Sequence, residues 1–301
     1  MNFRHWVFRA EHPHQPFKSF EDASDFWPRL KASFTDALAL ILMPNHAHLL
    51  LPASLDPELA KNKLHALMNQ CSRRINSKIT WQKLSAPTEI WDRFHLKRQL
   101  RYVALNPCRK NLCTDPLEWR WSTYRELFDG SHRYTAIANL IREPSLKAYH
   151  QYVSSDPSVS ITGTPPPLKK SLRNCELASL EGILASVVAA TGKHPRAIQT
   201  KRPPRLLFVQ ACEQLGWTKT QIIADLCDIS TRGLRRLRHL PASSELQHVF
   251  ACLSDPRLSV AANQVTQDFI NQVRSSKQTE QRRKVGRLSE DSSSTPHPYS
   301  Q

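Results

Sequence analysis

The sequence predicts strands mixed with helices over the first half of the chain and helices alone over the second. Three observations predict this. Residues 37–51 (ALALILMPNHAHLLL) form the most apolar segment, and Pro44-Asn45 breaks it, so it reads as one or two buried strands. Helical periods flank it on both sides. Beyond a Pro-, Ser- and Thr-rich stretch at 154–171, short helical periods follow one another.

In chain order, residues 1–9 carry Phe3, Trp6 and Phe8 among polar neighbours and predict a first strand. Residues 19–35 hold Phe20, Phe26, Trp27, Leu30 and Phe34 and predict a helix. The spacing over 57–79 predicts another, with Leu59, Leu64, Leu67, Met68 and Ile75 on one face. Lys61, Lys63, Arg73, Arg74 and Lys78 make a basic face. Residues 91–94 predict a strand. Residues 95–105 predict a helix with Leu96, Leu100 and Val103 at i, i+4 and i+7, and Pro107 is expected to break or bend it. A helical extension is expected over 131–152. Four short helices follow at 176–191, 205–215, 218–227 and 231–239, with a fifth at 243–253. From 275 the polar chain is expected to be disordered. The domain division is therefore 1–152, a linker over 153–175, a helical domain over 176–274 and a tail over 275–301.

The chain has 301 residues, enough for two domains. Its 42 Lys+Arg against 26 Asp+Glu leave a net charge of +16, and the commonest partner of so basic a protein is nucleic acid. Seven cysteines without C-x-x-C spacing argue against a disulfide scaffold and a zinc knuckle. The N-terminus has no signal-peptide pattern and no long apolar run occurs. The expectation is a cytoplasmic protein without a membrane partner, associated with the bacterial nucleoid.

His46 and His48 sit two residues apart in the apolar segment, so in a strand both imidazoles leave the same face. Two readings stand: a metal site, or a pair of hydrogen-bonded core histidines. A second such pair, His12 and His14, lies in a polar Pro-rich stretch and reads as surface.

The run MPNHAHLLL resembles the M-P-N-H-x-H-L-L-L signature of single-tyrosine HUH transposases, especially the REP-associated kind. The resemblance implies an α+β domain with a ferredoxin-like antiparallel sheet, and His46 and His48 as ligands of a divalent metal. RYVALNPCRK resembles the R-Y-[IV]-x-L-N-P-[VC]-R segment of the same family, which makes Tyr102 the nucleophile and Asn106 the third metal ligand. Helical spacing gives this physical sense, since Arg98, Tyr102 and Asn106 at i, i+4 and i+8 share one stripe. Tyr124, in WRWSTYR, matches the closing segment of the family and reads as packing. The resemblance covers about residues 1–128. One departure is a segment before Tyr102 shorter than in many relatives, so the sheet edge or the reach of the tyrosine helix is expected to differ.

The activity implied is metal-dependent cleavage and strand transfer of single-stranded or hairpin DNA through a 5′-phosphotyrosine, with Mg²⁺ first and Mn²⁺ second as cofactor. Phenols ionise near pH 10, so a phenol nucleophile needs such help. Two other readings remain open: a DNA-binding regulator descended from a transposase, and a metal nuclease that uses water.

Residues 220–237 fit a helix-turn-helix template. Ile223, Ala224, Ile229, Leu234 and Leu237 hold it together, Ser230 caps the second helix, and Asp228 stands where Gly is usual. The second helix presents Arg232, Arg235, Arg236 and Arg238 for duplex contact. The unit from Glu181 to His239 loosely resembles the helix-turn-helix domain of the replication initiator DnaA. A homodimer is compatible with all of this.

Overall fold

The computed structural model describes residues 2–75, 79–132, 135–143, 145–161, 163–164 and 178–291. Of the linker expected over 153–175, residues 162 and 165–175 lie outside the described residues, as do 292–301 of the expected tail. The fold is of the α+β class. Strand β1 (Phe3–Arg9) leads to helix α1 (Phe20–Ser33), strands β2 (Ala39–Leu42) and β3 (His46–Pro52), helix α2 (Pro57–Arg74) and strand β4 (Thr88–Ile90). The described strands form one antiparallel sheet in the order β2-β3-β1-β4.

The local reasons are legible. Ser19 caps α1 by accepting from the Asp22 N–H, and Asp56 caps α2 ahead of a proline at its first turn. Pro44-Asn45 falls in the turn between β2 and β3, where Met43 N–H still bonds the His46 carbonyl at 2.7 Å. Ladder partners share a face. Arg9, Val7 and Ile41 therefore stand on the side of the sheet that carries His46 and His48, while Trp6, Phe8, Leu40 and Leu49 line the other.

Two expectations fail between 88 and 109. The strand expected over 91–94 lies just before it, as β4, because Asp92 accepts from the His95 N–H and starts helix α3 (Arg93–Arg109). Pro107 does not end that helix. It stands in the last turn, where only one intrahelical bond is lost, and Leu105, Asn106, Pro107 and Cys108 are all buried. Asn111, at φ 55°, then turns the chain away.

The edge strand β2 is covered by the segment around Trp121. Trp119 Nε1 donates to the Leu42 carbonyl at 2.8 Å, and Thr123 Oγ1 accepts from the Leu40 N–H at 2.9 Å. Helices α4 (Thr123–Asp129), α5 (Thr135–Ile141) and α6 (Leu146–Ser154) follow. Tyr124 is buried, as expected of a packing residue, with its hydroxyl on His150 Nδ1 at 2.7 Å.

The rest of the described chain is helical: α7 (Leu180–Thr191), α8 (Ala197–Thr200), α9 (Arg202–Gln214), α10 (Thr220–Cys227), α11 (Thr231–Arg238), α12 (Leu246–Ser254), a 3-10 turn (Pro256–Ser259) and α13 (Val260–Asp291). The expected disordered tail begins inside α13, because Gln, Lys, Arg and Glu favour helix even without an apolar face. Arg125 joins the halves. Fully buried, it pairs with Asp129 at 2.6 Å, contacts Cys252 Sγ at 3.4 Å and donates to the Leu258 carbonyl. The described cysteines are free thiols, and no described helix is long and apolar enough to cross a membrane.

Candidate functional site

Helix α3 crosses the face of the sheet that bears the two histidines. His46 and His48 are buried, their ring centroids 4.9 Å apart and their planes at 82°. Asn106 arrives from α3 with Nδ2 3.1 Å from His48 Nε2. Its Oδ1 is buried and makes no hydrogen bond of good geometry among the described residues, an arrangement that normally costs on the order of 1–3 kcal/mol. His46 Nδ1 meets Asn45 Oδ1 at 2.7 Å, so that nitrogen donates and Nε2 keeps its lone pair.

Tyr102 lies one helical turn before Asn106. Its ring stands 5.7 Å from that of His48 at 89° and 6.3 Å from that of His5, and the residue is 38% exposed. The phenol is thus open to solvent on one side and held against the histidines on the other. The Arg109 guanidinium lies 5.2 Å from the Tyr102 ring. Arg98, a turn before, is exposed and forms no hydrogen bond or ion pair among the described residues, though its charge acts on Asp92. The structure therefore brings His46, His48, Tyr102 and Asn106 together. Strand β4 is three residues long, and the Tyr102 ring stands against His48 and His5.

Sequence reasoning missed four neighbours. His5 Nε2 lies 2.9 Å from His48 Nδ1, and Gln99 Nε2 lies 2.9 Å from His5 Nδ1. Arg9 pairs with His46 across the ladder, and Lys110 follows the end of α3. The alternation of β1 puts His5 and Arg9 on one face, but which strand they meet depends on a pairing that no local pattern encodes.

Burial is the main reason His46 is held down to about pH 4, with Arg9 and then Lys110 adding to it and the Asn106 side chain opposing. His48 is pushed to about 2 by burial first, then by His46, His5 and Arg9. His5 falls to about 4 through burial and His95. All three imidazoles are therefore neutral near pH 7, the form that ligates metals. Among the described residues no group of three or more His, Cys, Asp or Glu is arranged to hold a metal ion. A site here would need Asn106, whose bare buried oxygen fits that role.

In the second half, α10 and α11 are joined by Asp228, Ile229 and Ser230. Asp228 adopts φ 51°, the left-handed conformation that Gly more often supplies. Ser230 caps α11 by accepting from the Gly233 N–H at 3.1 Å. Arg232, Arg235 and Arg236 are exposed. Arg238 is half-buried and donates to the Trp217 carbonyl at 3.4 Å, so it faces inward.

No family model matches the chain, and no curated protein matches it. One solved structure, described as a REP-associated tyrosine transposase bound to a REP hairpin, aligns with 48% of this chain and 86% of its own. It does so at 15% identity and a TM-score of 0.36, too loose a likeness to carry an argument.

Proposed function

We propose that the protein cleaves and rejoins single-stranded DNA, with Tyr102 as nucleophile in a ferredoxin-like domain. The observation that carries this reading is a phenol, 38% exposed, set edge-on against the buried His48 and the half-buried His5, beside a buried amide oxygen without a partner among the described residues. His46 Nε2, His48 Nε2 and Asn106 Oδ1 would hold a divalent ion, Mg²⁺ first and Mn²⁺ second. When bound, the ion would draw charge from the scissile phosphate and orient it for in-line attack. Arg9 and Lys110 bring positive charge to the histidines, which favours a phosphate there, while Arg109 over the Tyr102 ring is paired with Asp156 at 2.9 Å.

The Tyr102 oxygen attacks phosphorus, one P–O bond forms, and the bond to the 3′ oxygen breaks. The phenolic proton is given up and the leaving oxygen ends as a free 3′-OH. The phosphotyrosine conserves the bond energy, so a second 3′-OH reverses the step and joins new DNA. Arg232, Arg235 and Arg236 on α11 would contact a duplex and recruit the cleaving domain to it.

The test is a denaturing gel with Mg²⁺ or Mn²⁺ and end-labelled single strands from the flanks of the gene. A protein–DNA adduct lost in Tyr102→Phe and in His46→Ala is the expected result. Cleavage without an adduct would identify a hydrolytic nuclease. Binding without cleavage across metals and sequences would identify a regulator.

A further inference from the structure

The Trp and Phe side chains of this protein are almost all covered. Of seven Trp and eleven Phe, only Trp91 and Phe94 are exposed, at 65% and 68%. Both lie at the start of α3, the helix that carries Tyr102. Leaving two large rings in water is unfavourable by comparison with burying them, and none of the described residues buries them.

Their setting is basic. Phe94, Arg98 and Tyr102 follow at i, i+4 and i+8, so one stripe of α3 presents an aromatic ring, a cation and the phenol. The Arg93 guanidinium lies 5.0 Å from the Phe94 ring. On the flank of α3, Lys97 and Arg101 bracket the ring of Tyr152 at 4.1 and 4.6 Å but are neutralised by Glu143 and Asp156, so among the described residues the free charge beside the rings is that of Arg93 and Arg98. The acidic side chain in the stretch, Asp92, is engaged as the helix cap. Eight residues of helix place Phe94 about 12 Å from Tyr102, a distance that about three to four stacked nucleotides cover.

We propose that Trp91, Phe94 and Arg98 form a track for single-stranded DNA, the rings stacking on bases and the arginine meeting phosphate, that leads a strand to Tyr102. A protein partner would need acidic complements to Arg93 and Arg98. A single strand supplies flat faces and negative charge in alternation, which is the pattern this stripe presents. The destination of the track rests on the strand-cleavage reading. The binding surface itself rests only on the exposed rings and the charge around them.

The experiment uses the full chain in EDTA, so that no cleavage occurs. Fluorescence anisotropy follows a labelled oligo(dT) of about 20 nucleotides and an abasic strand of the same length. Trp91→Ala and Phe94→Ala should each weaken oligo(dT) binding about tenfold, and the double variant more, with an unchanged slope against salt. Trp91→Leu and Phe94→Leu keep apolar bulk without an aromatic face and should bind as weakly as the alanine variants. Arg98→Ala should reduce the salt slope. The abasic strand should bind wild type and double variant alike. Equal oligo(dT) affinity of the wild type and a double variant with an unchanged melting temperature would overturn the proposal. So would a change in oligomeric state with no change in DNA affinity, which would assign the rings to a second copy. Ring-dependent binding in EDTA, with no covalent adduct in the separate gel assay with Mg²⁺ or Mn²⁺, would uphold the track and remove the strand-cleavage reading. An adduct with ring-independent binding would do the reverse.

Discussion

His5 and His48 meet nitrogen to nitrogen, Nε2 of one 2.9 Å from Nδ1 of the other, with their rings nearly parallel at 19°. The contact belongs to a chain that runs from Gln99 through His5 and His48 to Asn106. In a neutral chain of this kind all the protons point one way or all point the other. If His48 Nδ1 donates to His5 Nε2, then His5 Nδ1 donates to the side-chain carbonyl of Gln99, and His48 Nε2 is left unprotonated, accepting from Asn106 Nδ2 until a metal ion takes its lone pair. A half-turn of each terminal amide interchanges the two senses.

Only the sense that bares His48 Nε2 suits a metal ligand, so His5 and Gln99 would act as positioning residues for it. His5→Phe is expected to weaken Mn²⁺ binding by about 10- to 100-fold, measured by calorimetry without DNA. Tyr102→Phe, which removes a hydroxyl outside the chain, should leave the affinity unchanged. An unaltered constant in His5→Phe would sink this role.

Arg125 ties α4 to α12 and to the 3-10 turn after it, with Arg257 and Asp115 adding a second link at 2.9 Å. Arg125→Ala is expected to cost about 3–5 kcal/mol, since it leaves Asp129 charged and buried. Arg125→Met combined with Asp129→Leu should recover most of that loss. Urea unfolding decides the matter, and a loss below about 1 kcal/mol in the single variant would contradict it.

Burial, the largest influence, holds the His150 imidazole below its ordinary range, with Asp115 opposing and Arg257 assisting. In the unfolded chain this histidine takes up a proton near pH 6.5, which the folded chain resists. Its contribution is therefore present above that pH and is lost as the pH falls through the lower, folded-state value. One proton allows a slope of at most about 1.4 kcal/mol per pH unit. Gln in place of His150 keeps an acceptor for the Tyr124 hydroxyl but does not titrate. Stability measured from neutral to mildly acid pH should fall less steeply in His150→Gln, and equal slopes would count against the assignment.

On α11, the outward and inward arginines should separate. Replacing Arg232, Arg235 and Arg236 together with Ala is expected to weaken duplex binding and lower the salt slope by about two to three. Arg238→Ala should instead lower the melting temperature, because its guanidinium packs against the Trp217 carbonyl. Duplex affinity indifferent to the triple change would remove α11 from the interface.

Much of the site was legible because its parts are local. His46 and His48 share a face through the two-residue period of a strand, and Tyr102 and Asn106 share a stripe through the turn of a helix. Ser19, Asp56 and Ser230 mark helix starts by their own chemistry. The strand expected over 91–94 gives way to the exposed start of a helix, because the Asp92 side chain caps α3 there.

The sequence by itself determined the strand break at Pro44-Asn45, the paired histidines and the basic, amide-bearing tyrosine helix, since each is written in neighbours a few residues apart. Only the tertiary structure decided that Asn106 reaches His48 across 58 positions, that His5 meets it across 43, and that Arg9 faces His46. The reason is physical: strand register and helix placement are set by how whole faces pack, and no local period records which distant face will be met.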